Sequence, residues 1–145
     1  MPIRPANADD LPTIERIVAA AYSKYILRIG KPPGPMLDDY AAHIRAHTIW
    51  ITDDNSGIIV LLPEPDHLLL ENIAVDPAHH GKGIGRALME FADAEASRRA
   101  YPEIRLYTHE TMTENIALYH RTGWEETGRS TQDGYNRVFF RKTVP

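Results

Sequence analysis

Residues 70–88 read Leu70-Glu-Asn-Ile-Ala-Val-Asp-Pro-Ala-His-His-Gly-Lys-Gly-Ile-Gly-Arg-Ala-Leu88. An apolar, β-prone run reaches Val75 and is stopped by Asp76-Pro77. Three glycines at alternate positions, Gly81, Gly83 and Gly85, then open an amphipathic segment. Glycines leave the backbone uncovered by side chains, so successive amides can converge on one anion. The positive end of the following helix dipole acts in the same direction. Lys82 and Arg86 add charge beside the loop. Strand, turn, glycine loop and helix together suit a phosphate or pyrophosphate. The string is neither a Walker loop, which needs Gly-x4-Gly-Lys-Ser/Thr, nor the Gly-x-Gly-x-x-Gly dinucleotide fingerprint. A purely structural glycine turn is the competing reading.

Working outward, the helix after the loop ends near Tyr101, because Pro102 disfavours helix before it. Upstream, Thr48 to Thr52 and Ile58 to Leu62 form a hairpin about Asp53-Asp-Asn-Ser-Gly57, and Leu68 to Val75 is a third apolar strand. Further upstream, Ile3 to Pro5 is a short strand. A helix capped by Asp9 or Asp10 follows, with Ile14, Ile17, Val18, Ala21, Tyr22 and Tyr25 at helical spacing. Gly30-Lys-Pro-Pro-Gly-Pro35 breaks that helix, and a short helix runs from Met36 to Ala46. Downstream, Ile104 to Thr108 is a strand. Thr111-Met-Thr-Glu114 is a capping box for a helix to about Thr122, and Gly123 takes the left-handed position after it. Glu125 to Lys142 closes the chain as a hairpin around Asp133-Gly134. The order β-α-α-β-β-β-α-β-α-β-β describes one mixed α/β domain over residues 1–145.

The 145 residues carry a formal charge of -4 and no cysteine. Disulfides, thiolate metal sites and a cysteine nucleophile are excluded. The acidic balance argues against nucleic acid as the main partner. No apolar run approaches the ~20 residues of a membrane span, and the first residues have no signal-peptide pattern. A cytoplasmic protein without membrane association is expected.

The glycine loop resembles the signature of the GNAT superfamily of N-acetyltransferases, Gln/Arg-x-x-Gly-x-Gly/Ala, which opens the helix after the fourth strand. Here it stands as His80-Gly-Lys-Gly-Ile-Gly85, with His80 where Gln or Arg is usual. Asn72-Ile-Ala-Val-Asp-Pro77 is similar to the family's fourth strand. The resemblance implies a central, mostly antiparallel mixed sheet flanked by helices. It implies acetyl-CoA as co-substrate, with no metal. The pyrophosphate would lie on the loop from His80 through Gly81, Lys82, Gly83, Ile84 and Gly85 to Arg86. The pantetheine arm would pair with the backbone of Ile73, Ala74 and Val75, as a bulged strand offers unpaired amides to a ligand.

Asn115-Ile-Ala-Leu-Tyr119-His-Arg-Thr-Gly123-Trp124 resembles the family's second signature. Asn115 and Tyr119 lie four apart and share a helix face. By resemblance, Asn115 bonds the cofactor arm and the Tyr119 hydroxyl protonates the departing thiolate. As a bland alternative, Tyr119 is a core aromatic. An incoming ammonium must also lose a proton before it attacks. Glu71, inside an apolar strand beside the expected acetyl site, is the first candidate base. Strand parity puts it on the face of Leu69 and Ile73 unless a bulge intervenes. His109 and Glu110 are the runners-up. Tyr22, Tyr25 and the stretch Ile29 to Tyr40 fall where such folds place acceptor-binding walls. His43 and His47, four apart on a helix, show a metal-ligand spacing but no third ligand.

The expected activity is transfer of acetyl from acetyl-CoA to a small-molecule or peptide amine by direct attack. The rival is a non-catalytic module that binds CoA or another phosphate ligand. Such folds commonly pair as homodimers, although no residue here marks an interface.

Overall fold

The computed structural model describes residues 2–144. Seven strands form one sheet: β1 (Ile3–Pro5), β2 (Ile49–Thr52), β3 (Gly57–Pro63), β4 (Leu68–Val75), β5 (Glu103–His109), β6 (Glu125–Gln132) and β7 (Tyr135–Thr143). Their spatial order is β1-β2-β3-β4-β5-β7-β6. Every pairing is antiparallel except β4 with β5. The fold is thus the mixed, mostly antiparallel α/β sheet expected.

Helices cover both faces. On one side lie α1 (Leu11–Tyr22) and α3 (Tyr40–Ala46), with the one-turn α2 (Ile26–Ile29) between them; on the other lie α4 (Ile84–Arg98) and α5 (Thr113–Arg121). Each face has its own core. Ile14, Ile17, Val18 and Tyr22 of α1 pack on Ile49, Ile51, Ile58, Val60 and Ala74. Ile84, Leu88, Ala92 and Ala96 of α4, one stripe at four-residue spacing, pack on Ile59, Leu61, Leu68, Leu70 and Leu106. Burying each large aliphatic side chain contributes about 1.5–3 kcal/mol.

Two irregularities in β4 build the site. The register against β3 shifts: Leu61 pairs with Leu70 and Val60 with Asn72, so Glu71 is an extra residue. That bulge inverts the side-chain alternation. Leu68 and Leu70 face the α4 core, whereas beyond the bulge Ala74 faces the α1 core and Ile73 and Val75 pack toward α4. The second irregularity is that β4 and β5 pair only from Leu68 to Leu70, against Ile104 to Leu106. Past Leu70 the two strands part, and a wedge opens at the middle of the sheet.

Several expected boundaries shift. The first helix stops at Tyr22 and continues as a 3-10 turn and then α2, ended by Gly30 at φ 88°. Asp10, not Asp9, stands at the N-cap of α1 but makes no side-chain cap there; its carboxylate instead accepts the amide of Asn7, which caps the preceding 3-10 turn. The helix placed from Met36 begins at Tyr40, because Gly34–Leu37 form a 3-10 turn and the Asp39 side chain caps at Ala42. The Thr111–Glu114 capping box does not form. Thr111 bonds His109, and the Glu114 carboxylate reaches Arg28 at 2.6 Å, drawn to a charged donor rather than a backbone amide.

Candidate active site

The glycine loop folds as its composition requires. Gly81 and Gly83 take φ of 80° and 76°, a region that side chains resist, and Gly83 caps α4. Nothing lies within 4 Å of where a Cβ would sit on either residue. The amides of Gly81 through Arg86 find no acceptor among the described residues, the first helical bond being Ala87 N–H to the Gly83 carbonyl at 3.0 Å. Left-handed glycines leading into a helix N-terminus therefore form an open cradle of donors, which fits a pyrophosphate.

The cradle ends a cleft of about 790 Å³. Ile73, Ala74, Val75, His80, Gly81, Gly83, Ile84, Gly85, Arg86, Asn115 and Tyr119, all named by the sequence for the cofactor, line it. Lys82 does not: its side chain is exposed and outside the cleft, so only its backbone belongs to the cradle. The Ala74 side chain is buried on the opposite face, which leaves its backbone to face the cleft. Arg86 Nε also meets Glu90 at 3.2 Å, across the exposed face of α4.

A smaller cavity of about 220 Å³ lies on the other side of the wedge. Tyr22, Ile73, Asn115 and Tyr119 line both spaces and mark where they meet. The Gly30–Pro35 loop and the turn after it supply a wall through Ile29, Pro33, Pro35 and Leu37, and β5 and β7 supply another. Tyr25 lines only the larger cleft.

Glu71 opens on the smaller cavity. It shares the face of Leu69 but not that of Ile73, because the bulge falls on Glu71 itself. One carboxylate oxygen, Oε2, is buried with no hydrogen-bond partner among the described residues. Burial, and then the neighbouring Asp38 charge, push its pKa above the usual carboxylate value. Tyr119 is only 6% exposed and packs against Trp124 and Phe140. Burial pushes its hydroxyl up to about 12, so it stays protonated across the neutral range. The aromatic packing and the position at the junction coexist: Tyr119 is both a core residue and a cavity-lining one.

His109 lines the same cavity, but its Nδ1 is engaged by Thr111, and burial lowers its pKa. Glu110 turns outward to Asn136 Nδ2 at 2.9 Å and lines neither space. His47 takes a left-handed cap position at the end of α3. His43 instead stands between Thr48 Oγ1, 3.0 Å from Nδ1, and Asp38 Oδ2, 2.8 Å from Nε2. His47 takes no part, but ligand atoms of Asp38, His43 and Glu71 lie within 4.8 Å of one another.

Two contributors, Asn72 and Arg137, escaped the sequence reading. Asn72, 3% exposed, accepts from the Tyr22 hydroxyl and donates to the Tyr40 hydroxyl at 2.9 Å. Tyr40 in turn donates to the Pro35 carbonyl. This chain of bonds ties the bulge to α1, α3 and the proline loop. An Asn within Leu-rich β4 was its visible signal. Arg137 lines the smaller cavity and no local pattern announces it, while Asp38, also in its lining, falls in the Ile29–Tyr40 stretch expected to wall the acceptor.

The family model of the acetyltransferase (GNAT) domain matches residues 45–126. A probable N-acetyltransferase 14 of Xenopus tropicalis is 30% identical, across 70% of this chain and 52% of its own length. The chain spans 64% and 52% of the first two curated relatives it matches. Among solved structures, the ribosomal-protein-S18-alanine N-acetyltransferase of Escherichia coli superposes with a TM-score of 0.76 at 21% identity, over 99% of this chain and 93% of its own. The PaiA N-acetyltransferase of Thermoplasma acidophilum, solved in complex with coenzyme A, gives 0.73 at 18% identity, over 98% of each chain. No helix is long and apolar enough to cross a membrane among the described residues. With its family model matched over more than half its residues and its glycine cradle opening onto a parted β4–β5 pair, the chain belongs to the GNAT acetyltransferase family.

Proposed function

We propose that this chain transfers the acetyl group of acetyl-CoA to a primary amine by direct attack of the amine on the thioester. The observation that carries the reading is the meeting of two cavities at Tyr22, Ile73, Asn115 and Tyr119, with the Glu71 carboxylate in the smaller one. The longer cleft, ended by the amide cradle, suits the CoA arm. The smaller suits an acceptor.

The residues divide the work. The amides from Gly81 to Arg86 hold the pyrophosphate, and the exposed β4 backbone beyond the bulge aligns the pantetheine arm. Glu71 takes the proton of the incoming ammonium, and its raised pKa brings its basicity closer to neutral pH. The Tyr119 hydroxyl gives a proton to the departing sulfur. A phenol at about 12 is a weak donor toward a thiolate in water. In the same dry junction, however, the thiolate is destabilised by burial as the phenolate is, which narrows the mismatch. No cysteine is present to carry the acetyl group, and the amine has its own access. The transfer is therefore written without an acyl-enzyme.

Acetyl-labelled acetyl-CoA tests this reading. Label is expected in an amide of the supplied amine and not on the protein. Label retained on the protein after gel filtration, or appearing only as free acetate whatever amine is supplied, contradicts it.

A further inference from the structure

The charges lining the smaller cavity do not balance. On one wall, Asp38 commits both oxygens locally: Oδ1 accepts the Asp39 amide and Oδ2 meets His43 Nε2, each at 2.8 Å. Glu71 is the base. On the opposite wall stands Arg137 of β7, whose guanidinium carbon lies 4.4 Å from the Tyr107 ring centroid. One of its N–H groups donates to Gln132 Oε1 at 2.9 Å. The other partly buried arginines, Arg4, Arg99 and Arg105, each meet a carboxylate. Arg137 is the partly buried arginine that meets none among the described residues. A stacked guanidinium with donors left over is shaped to take a planar carboxylate through two parallel bonds.

We propose that the acceptor is an amino carboxylate, its carboxylate held by Arg137 while its amine faces Glu71. The inference rests on the acetyl-transfer reading above and adds the chemical class of the acceptor. The paired acids at Asp38 and Glu71 point the other way, toward a polycation. Asp38, however, is held by His43, and Glu71 must stay free to take the proton, so neither acid forms an ion pair with Arg137 among the described residues. A cavity of about 220 Å³ has room for a small acceptor.

The test compares each amino acid with the amine left by its decarboxylation: phenylalanine with phenethylamine, lysine with cadaverine. The readout is kcat/KM for CoA thiol release. The wild type should prefer the carboxylated member by about 10- to 100-fold, the worth of a charged hydrogen-bonded contact. In Arg137→Gln the ratio should fall toward one, and Arg137→Lys should restore part of it by keeping the charge. Equal rates within the pairs, a preference for cadaverine, no turnover of any amino acid, or a ratio indifferent to Arg137 overturns the assignment. If Arg137→Gln does not fold, the wild-type ratios alone decide. Acetyl-CoA stabilisation of the wild type, measured alongside, separates the two readings: its absence overturns acetyl transfer itself, and its presence with the wrong acceptor ratio overturns only the acceptor class.

Discussion

Glu71 is the extra residue of a bulge, and its chemistry follows from that. In a regular strand its carboxylate would alternate with its neighbours. Here it is pressed into a cavity wall beside Asp38, with one oxygen orphaned. As a base it must be ionised, so kcat/KM should fall as the pH drops through a pKa raised above the usual carboxylate value. Glu71→Gln should lose activity at neutral pH and recover part of it at high pH, where the free amine needs no base. A pH profile matching the wild type would move the base elsewhere, to His109 first. Stability should respond in the opposite sense. A carboxyl whose folded pKa is raised contributes stability below its unfolded pKa of about 4.3 and loses it as the pH rises through the folded value. Glu71→Gln should thus melt no lower than the wild type at pH 7, and its advantage should vanish below about pH 4. Tyr119→Phe keeps the packing on Trp124 and Phe140. It should slow turnover by roughly ten- to a thousandfold with little change in acetyl-CoA affinity. Unchanged turnover would assign Tyr119 to the core alone. Both residues were legible because each interrupts or completes a short local pattern. Arg137 was not, since it reaches the cavity from a surface hairpin that carries no periodicity, and Asp38 was placed only as part of the proline-rich acceptor wall.

At the scale of single elements, the glycine loop is the clearest case of sequence dictating form. Gly83 sits at φ 76° as the cap of α4. Gly83→Val should cost roughly 1–2 kcal/mol through the left-handed backbone and should also block the cradle. Its melting temperature should no longer rise with acetyl-CoA, whereas a retained rise would place the pyrophosphate elsewhere. The Arg28–Glu114 pair, which ties α2 to α5, should matter far less. Arg28, and then Thr113, hold Glu114 at about 2. Both side chains are well exposed, however, and solvent screens such a pair until it contributes little. A depressed carboxyl stabilises above its unfolded pKa, so the small penalty of Glu114→Gln should disappear between about pH 4.3 and pH 2. A larger or pH-independent penalty in urea melts would show that the pair does more than this. The expected capping box at the same helix failed for the same reason: a guanidinium contributed by a distant segment outcompetes a local amide, and spacing along the chain does not report distant segments.

For the whole molecule, the hairpins could be read and the long-range pairings could not. Turn chemistry at Asp53–Gly57 and Asp133-Gly134 located β2–β3 and β6–β7 in the sequence. Nothing local says that β7 rather than β6 docks on β5, or that β4 and β5 run parallel for three residues and then part. That parting makes the site. It leaves the β4 backbone beyond Leu70 facing a cleft, sets α4 and α5 on one side and the Asp38 loop on the other, and joins two cavities at Tyr119. Ligand binding should be felt globally, because acetyl-CoA bound only by the folded state must raise its melting temperature. The most direct measurement is the initial rate of thiol release from acetyl-CoA, with and without a saturating primary amine. Transfer at the junction of the two cavities requires a rate that rises with amine and saturates. A rate that amine does not change, in protein that acetyl-CoA stabilises, would mean that the cleft binds its ligand without passing the acetyl group on.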